Sequence, residues 1–383
     1  LDVDVDVLVI GSGAAGLAAA LTAREAGAER VLIAESQGVV GGSSRLSGGL
    51  MMGAGTRFQR ELGIDDSADR LYHDYLQLNR WNVEASAVRR LADEAGPAIE
   101  WVADLGVEFH PGLVYAGDEP VPRVHVPLGR GQGVVDVLTR ACREANIDIA
   151  LGQRVDRLIM EGGRVVGVAV GDDTIRAGAV VIATGGFGSS PELLAQHFPS
   201  AAQTGTAWYI GADGSHGDAL ALGAQVHAQF VGHDRGLRLL HANFDHIYEA
   251  YLPGWIMLVN SDARRFGDET APYGIMDFLV RQQGNRVFAI FDHRILTEAT
   301  EAGIARQVDR MMAAPQFETG VRAFFTDMFA YDQFDGLTKD QHCQGYHDQG
   351  ARTHNTQFRF LAQIFLANDA LQLFPAPEHE QSH

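Results

Sequence analysis

The stretch Val5 to Glu35, VDVLVIGSGAAGLAAALTAREAGAERVLIAE, sets the tightest limit on what this chain can become. Val7 to Ile10 are continuous and rich in β-branched residues, as in a strand buried on both faces. Gly11, Gly13 and Gly16 then supply G-x-G-x-x-G, with Ala14 and Ala15 inside the same turn. The first glycine makes a tight turn. The second lets the backbone approach a pyrophosphate, and the third lets a helix pack closely on the strand. Leu17 to Ala26 is rich in helix-forming Ala and Leu. Its N-terminus would face phosphates with a partial positive charge. Gly27 ends the helix, and Val31 to Ala34 is a second strand. Glu35 ends that strand, where a carboxylate can accept both ribose hydroxyls. This is a βαβ unit for a dinucleotide. The alternatives are a glycine-rich turn in some other α/β protein, and a merely solvated strand end at Glu35.

The chain has 383 residues, enough for a main domain and an inserted or appended one. Hydrophobic residues make up 46% and charged residues 21%, the balance of a soluble globular protein. No apolar run approaches the roughly 20 residues of a membrane span. A net charge of −19 argues against nucleic acid and anionic membrane as main partners. The first strand starts almost at once, so no signal peptide is expected, and the start at Leu1 without Met is read as a few residues either removed or left out ahead of it. Cys142 and Cys343 have no metal-ligand spacing, and no metal site is expected. A reducing, cytoplasmic setting fits them.

Ser36 leads into Gln37 to Thr56, a segment crowded with glycine and serine. Such a loop can lay backbone amides and hydroxyls along a ligand. Leu46, Leu50, Met51 and Met52 argue against a solvated linker. Asp66 to Leu105 reads as helical, capped by Asp66 and Ser67, with Trp81 and Trp101 in the core. Gly129-Arg130-Gly131-Gln132-Gly133 precedes an amphipathic helix, Val134 to Ala145. Val134, Val135, Leu138, Ala141 and Cys142 share its inner face, which makes Cys142 a core thiol. Residues 147 to 183 read as a small meander: Ile149 to Leu151, Val155 to Met160 and Val165 to Gly171, with a Gly162-Gly163 turn. Ala179 to Ala183 is a buried strand broken by Thr184-Gly185-Gly186-Phe187-Gly188. Asp218 to Ala224 is helical, and Trp255 to Asn260 and Val287 to Asp292 are strands. Beyond Ile304 the strand signals fade.

Four ordered motifs carry a family likeness: the glycine turn, GGSSRLSGG, Ala183-Thr184-Gly185-Gly186-Phe187, and Arg265-Phe266-x-x-Glu269. With them, roughly Val5 to Asp292 resembles the FAD-binding fumarate reductase/succinate dehydrogenase flavoprotein superfamily, in its 3-ketosteroid dehydrogenase-like branch. The resemblance implies an α/β fold. A Rossmann-like FAD-binding domain of glutathione-reductase type would span residues 1–205, with the β-meander at about 147–183. A second, α+β capping domain would span 206–304, and a divergent helical tail 305–383. The cofactor implied is FAD, and the partners are a small-molecule substrate and an electron donor or acceptor. Oligomeric state is left open.

By the same resemblance, Gly11, Gly13, Ala14, Ala15, Gly16, Glu35 and Ser36 hold the ADP half. Gly42, Ser43, Ser44, Ser47, Gly48 and Gly49 run past the pyrophosphate and ring. Val155 contacts adenine, and Ala183, Thr184, Gly185 and Asp213 border the cofactor. Arg265 stands where fumarate reductases place a proton-donating arginine, and Glu249 matches the Glu of its relay. Leu252 stands where the relay's Arg belongs, and leucine carries no proton. His233 matches a carboxylate-binding His. Dicarboxylate reduction is therefore disfavoured. An apolar, ketosteroid-like carbonyl compound fits better with Leu252, Pro253, Trp255, Tyr248 and Tyr251, Tyr251 being a candidate proton-transfer group. The family's closing strand and Gly-Glu pair are not found after Ile304. A divergent substitute, a truncation or frame change, and an inactive binding module are the open alternatives, beside an enoate reductase like the fumarate reductases.

Overall fold

The computed structural model describes residues 3–115, 119–202, 209–238, 257–269, 271 and 273–290. Every element below lies within Leu1–Val321.

The opening unit forms as its pattern demands. Strand β1 (Val5–Ile10) leads into helix α1 (Ala14–Glu25), and strand β2 (Val31–Ala34) returns parallel to β1, Val7 opposite Val31. Helix α2 (Gly42–Leu46), strand β3 (Met51–Met52) and helix α3 (Arg57–Glu61) follow, so the glycine- and serine-rich segment is partly ordered rather than all loop. The helical stretch after it is two helices, α4 (Ala68–Leu78) and α5 (Ala85–Asp104). They part at Arg80 and Trp81, whose φ values of 52° and 60° no helix accommodates. Trp81 is 66% exposed and not core, whereas Trp101 packs against the main core. Ser67 caps α4 as expected, but Asp66 pairs with a buried arginine instead. Pro97 lies inside α5, whose apolar face stays in register through it.

Strand β4 (Val124–His125) pairs antiparallel with β3. Helix α6 (Arg130–Glu144) starts within the Gly129–Gly133 run, earlier than the pattern implies, and buries Val134, Val135, Leu138, Ala141 and Cys142. Strand β5 (Asp148–Ala150) is not part of the meander: it pairs parallel with β2. The meander is β6 (Arg157–Glu161), β7 (Arg164–Val170) and β8 (Asp173–Ile182). β8 is one long strand with two partners. Its first half pairs antiparallel with β7 and its second half parallel with β1, giving a six-stranded sheet in the order β5-β2-β1-β8-β7-β6. One apolar cluster joins α1, α6, β1 and β2, and another covers the opposite side with β8, the meander and Leu222. The sheet is thus clamped, with the C-terminal ends of β1, β2 and β8 at one edge.

Helices α7 (Pro191–His197), α8 (Pro199–Ala202) and α9 (Asp218–Gln225) follow. Strand β9 (Met257–Asn260), helix α10 (Tyr273–Gln282) and strand β10 (Val287–Ile290) share a small apolar cluster of Leu258, Met276 and Val280, with β9 and β10 antiparallel. Tyr248, Glu249, Tyr251, Leu252, Pro253, Trp255 and the tail beyond Ile304 lie outside the described residues. Among the described residues no helix is long and apolar enough to cross a membrane, and no group of three or more His, Cys, Asp or Glu side chains is placed to hold a metal ion.

Candidate functional site

The ends of β1, β2 and β8 hold three turns against one another. Gly11 has φ 102°, and a Cβ there would lie 2.5 Å from Ala183 O and 3.1 Å from Thr184 Cα. Only glycine fits. Ala183 N–H donates to Ile10 O (2.8 Å), which brings the second glycine break directly beside the first. Helix α1 starts at Gly13 with no side-chain cap. The amides of Ala15 and Gly16, in its first turn, have no intrahelical acceptor. Gly16 lets α1 sit on the turn: a Cβ would lie 1.9 Å from Gly11 O. Helix α2 begins at Gly42, also uncapped, after Gly41 with φ 113°. Ala14 N–H donates to Ser44 Oγ (3.1 Å), so the two helix starts are tied together. Two helix starts without side-chain caps thus lie side by side, which suits an anionic diphosphate.

Glu35 lies beside this cradle and is 5% exposed. Its Oε2 accepts Ser12 N–H (2.8 Å) and Ser12 Oγ–H (2.6 Å), while Oε1 accepts Gln37 N–H (2.8 Å) and Ser36 Oγ–H (3.3 Å). Ser12 was not legible in the sequence. Any small residue fits between Gly11 and Gly13, and its partners stand far along the chain. It also accepts Gly41 N–H (3.2 Å), so one buried hydroxyl links β1, Glu35 and the approach to α2. Gln153 N–H donates to Glu35 O and Gly152 N–H to Gln37 O, which sets buried Val155 near the same end.

The Ser44–Gly49 segment is held from behind. Ser47 Oγ–H donates to Ser44 O (2.7 Å), Gly49 N–H donates to Ser47 Oγ (3.1 Å), and Gly131 N–H at the start of α6 donates to Ser47 O (3.1 Å). Gly48 follows Ser47 in that turn. On the far wall, Thr184 Oγ is buried without a partner and Gly185 has φ 75°. Asp213 is exposed in the loop before α9, next to Ala212, whose N–H donates to Ser43 Oγ (3.0 Å).

These residues fit an extended dinucleotide: two uncapped helix starts, glycines admitting no Cβ, a fixed carboxylate and a buried hydroxyl lacking a partner. Glu35 would hold the ribose, the amides of α1 and α2 the pyrophosphate, and Ser43, Ser47 and Thr184 the remainder.

The chain matches the FAD binding domain family over residues 6–350. It belongs to that family. FAD is therefore the cofactor of the chain's family, and the match extends past Ile304, where the strand signals fade. Among curated relatives, the NADH:fumarate oxidoreductase of Klebsiella pneumoniae (strain 342) is 32% identical over 277 residues, 69% of this chain and 29% of that protein. A KsdD-like steroid dehydrogenase of Mycolicibacterium smegmatis (strain ATCC 700084 / mc(2)155) is 30% identical over 235 residues, 51% of this chain and 43% of that protein. The chain thus spans less than half the length of either. A solved 3-ketosteroid-Δ4-(5α)-dehydrogenase from Rhodococcus jostii RHA1, in complex with 4-androstene-3,17-dione, shares the fold. Its TM-score is 0.70 at 22% identity, covering 88% of this chain and 79% of that one.

The catalytic candidates are not gathered in the same way. Arg265 lies beside β9 and pairs with Glu269, Nη2 to Oε2 at 2.7 Å; its side chain is 56% exposed and that of Glu269 6%. Leu258 N–H also donates to Glu269 Oε1 (2.8 Å). The hydrogen bond and charge of Glu269 push Arg265 further above the usual arginine range. Burial pushes Glu269 up, but the hydrogen bonds from Arg265 and Leu258 outweigh it and hold the carboxyl below its ordinary value. His233 is exposed, in the turn that places Asp234 against His197 O and Ser200 N. Among the described residues, no hydrogen bond, ion pair or ring contact joins Arg265 or His233 to the cradle. Glu249 and Tyr251 lie outside the described residues.

A buried polar cluster underlies strand β4. Arg123 is 0% exposed and pairs with Asp66 (2.8 Å) and Asp74 (2.7 Å), with Glu119 at 3.5 Å. Burial opposes its charge, and the Asp66 and Asp74 hydrogen bonds outweigh it, so the guanidinium stays charged. His125, also buried, pairs through Nε2 with Thr56 Oγ (2.9 Å), and its Nδ1 lies 2.9 Å from Arg123 O. Burial pushes this imidazole below its usual value. The cluster fixes β4, and through β3 the start of the segment beyond Gly49. Asp66 alone among these residues was singled out in the sequence, and as a cap; an arginine in a proline-containing loop gives no sign of burial.

Proposed function

We propose that this chain is the flavin-binding part of an FAD-dependent oxidoreductase acting on a carbon–carbon bond next to an activating carbonyl. We read its substrate as apolar and ketosteroid-like. The observation that carries the oxidoreductase reading is the cradle itself, with two helix N-termini, Glu35 and Thr184 at the ends of β1, β2 and β8, in a chain of the FAD binding domain family. FAD, when bound, exchanges a hydride with carbon.

The chain's own residues bind and orient. Helices α1 and α2 offset diphosphate charge, and Glu35 fixes the ribose end. Arg265, kept charged by Glu269, can stabilise negative charge developing on a substrate oxygen. It is a poor proton donor by itself, since arginine stays protonated at any ordinary pH. With Leu252 in the relay position, Tyr251 is the better proton carrier in our reading, and His233 and Glu249 would act on substrate charge. The apolar preference rests on Leu252, Pro253, Trp255 and the flanking tyrosines, and on the steroid dehydrogenase relative. We assign the protein to the cytoplasm from its cysteine usage. Its partners are a small substrate and an electron donor or acceptor.

A second reading, an enoate reductase for a carboxylate substrate, is favoured by the half-exposed Arg265 and the fumarate oxidoreductase relative. Anaerobic reoxidation separates the two. The FAD-loaded protein is reduced with dithionite, freed of excess reductant, and mixed with a ketosteroid enone or with fumarate. Recovery of colour with the enone alone supports the first reading, and recovery with fumarate alone transfers the assignment to the second. No recovery with either sinks the oxidoreductase assignment.

A further inference from the structure

Tyr209 belongs to no motif in the sequence, yet it ties the start of α2 to the loop before α9. Its hydroxyl donates to Ser215 Oγ (2.9 Å) and lies 3.1 Å from Ser43 Oγ. Ser43 Oγ in turn accepts Ala212 N–H (3.0 Å). Since the Tyr209 hydrogen is directed to Ser215, Ser43 supplies the hydrogen of the remaining contact. The result is a continuous chain of donors: Ala212 N–H, Ser43 Oγ–H, Tyr209 Oη–H and Ser215 Oγ.

The chain joins the two walls of the groove. Ser43 lies in α2, whose start faces α1. Ser215 stands beside Gly185, where a Cβ would lie 4.0 Å from its hydroxyl. Tyr209 is 39% exposed, and its ring lies against two glycines. A Cβ on Gly188 would lie 2.1 Å from the Tyr209 ring, and one on Gly211 would lie 2.1 Å from its hydroxyl oxygen. Neither glycine has a positive φ, so what each provides is room for the ring and not backbone freedom. Ser189 Oγ–H to Ala212 O (3.2 Å) and Ser189 N–H to Ser215 O (3.0 Å) brace the far side.

We propose that Tyr209 is a positioning residue for the flavin cofactor, a hydroxyl clasp that fixes α2 against the 211–217 loop across the groove. It acts through Ser43 and Ser215. The inference rests on the reading of this groove as the FAD site.

The test uses the full chain and three readouts: FAD dissociation constant, visible circular dichroism of bound flavin, and thermal midpoint. Tyr209→Phe removes the hydroxyl and keeps the ring. The expected result is FAD affinity about fivefold to tenfold weaker, since two hydrogen bonds are lost, with an altered flavin dichroism band. Ser43→Ala should be non-additive with Tyr209→Phe, because both break one network. A purely structural tyrosine would lower the thermal midpoint and leave affinity and dichroism as in wild type, and that result overturns the proposal. So does strict additivity. If Tyr209→Phe fails to fold, Ser215→Ala removes the acceptor of the same hydroxyl and is judged by the same readouts. A wild-type chain that binds no FAD would instead overturn the underlying assignment of the groove.

Discussion

Helix α6 supports the Ser44–Gly49 segment through Gly131, and replacing that glycine with alanine isolates this support. A Cβ on Gly131 would lie 2.0 Å from Ser44 O, 2.5 Å from Ser47 Oγ and 2.9 Å from Ser47 O. Carbon–oxygen contacts in proteins settle near about 3.3 Å, so the loop and helix must part by roughly 1 Å. Overpacking of this kind costs about 1–3 kcal/mol, offset by about 1 kcal/mol for alanine over glycine within a helix. The displaced atoms are ones on which the proposed cofactor cradle relies. Ser44 Oγ accepts Ala14 N–H at the start of α1, and Ser47 O accepts Gly131 N–H. Loss of both contacts, at about 1 kcal/mol each, weakens FAD binding by about tenfold or more. Gly133→Ala is the control. Its Cβ would meet Leu128 O at 2.4 Å, in the turn before the helix and away from the loop. FAD titration by flavin fluorescence, beside thermal melts of the apoprotein, reads both variants. We expect lower thermal midpoints in both and weakened FAD binding in Gly131→Ala alone. If Gly131→Ala binds FAD as the control does, α6 does not set the cofactor loop and the reasoning fails.

Three further outcomes follow from buried groups. Asp66 is pushed up by burial but held below the ordinary carboxylate value by Arg123 and Gln59, so its stabilisation is present above the unfolded value and lost as pH falls through the folded one. Asp66→Asn should cost about 2–4 kcal/mol at neutral pH and converge on wild type in acid, measured by urea midpoints across pH. Glu119 has the opposite sign. Burial raises its carboxyl, so its stabilisation is lost as pH rises through the folded value, and Glu119→Gln should gain stability over wild type on the alkaline side in the same series. Cys142 is fully buried with its thiol pushed up to about 11 by burial, so in a Cys343→Ser background it should resist alkylation until the protein is unfolded with urea.

The opening βαβ unit was legible because every part of it is local: the apolar run, the glycine spacing and the acid all fall within one stretch of chain. The same holds for the inner face of α6 and for the glycine break after β8. What the sequence hid were contacts between distant segments. β5 looked like the first strand of the meander because its residues alternate, and only pairing with β2 decides its sheet. Of β8 the sequence shows only the second half, read as Ala179 to Ala183; the first half pairs with a different partner, and no local pattern joins the two. Residue type alone puts Trp81 in the core, but the left-handed turn at Arg80 and Trp81 points it to solvent. Ser12, Arg123, Gly131 and Tyr209 were missed for the same reason: each acts through a partner far along the chain.

The most direct test of the account is the visible spectrum of the purified full chain after incubation with excess FAD and desalting. The account predicts retained flavin with the two visible bands of the oxidised ring, bleached by dithionite, and a thermal midpoint raised by FAD. A folded chain that emerges colourless, with the same midpoint with and without FAD, would contradict it.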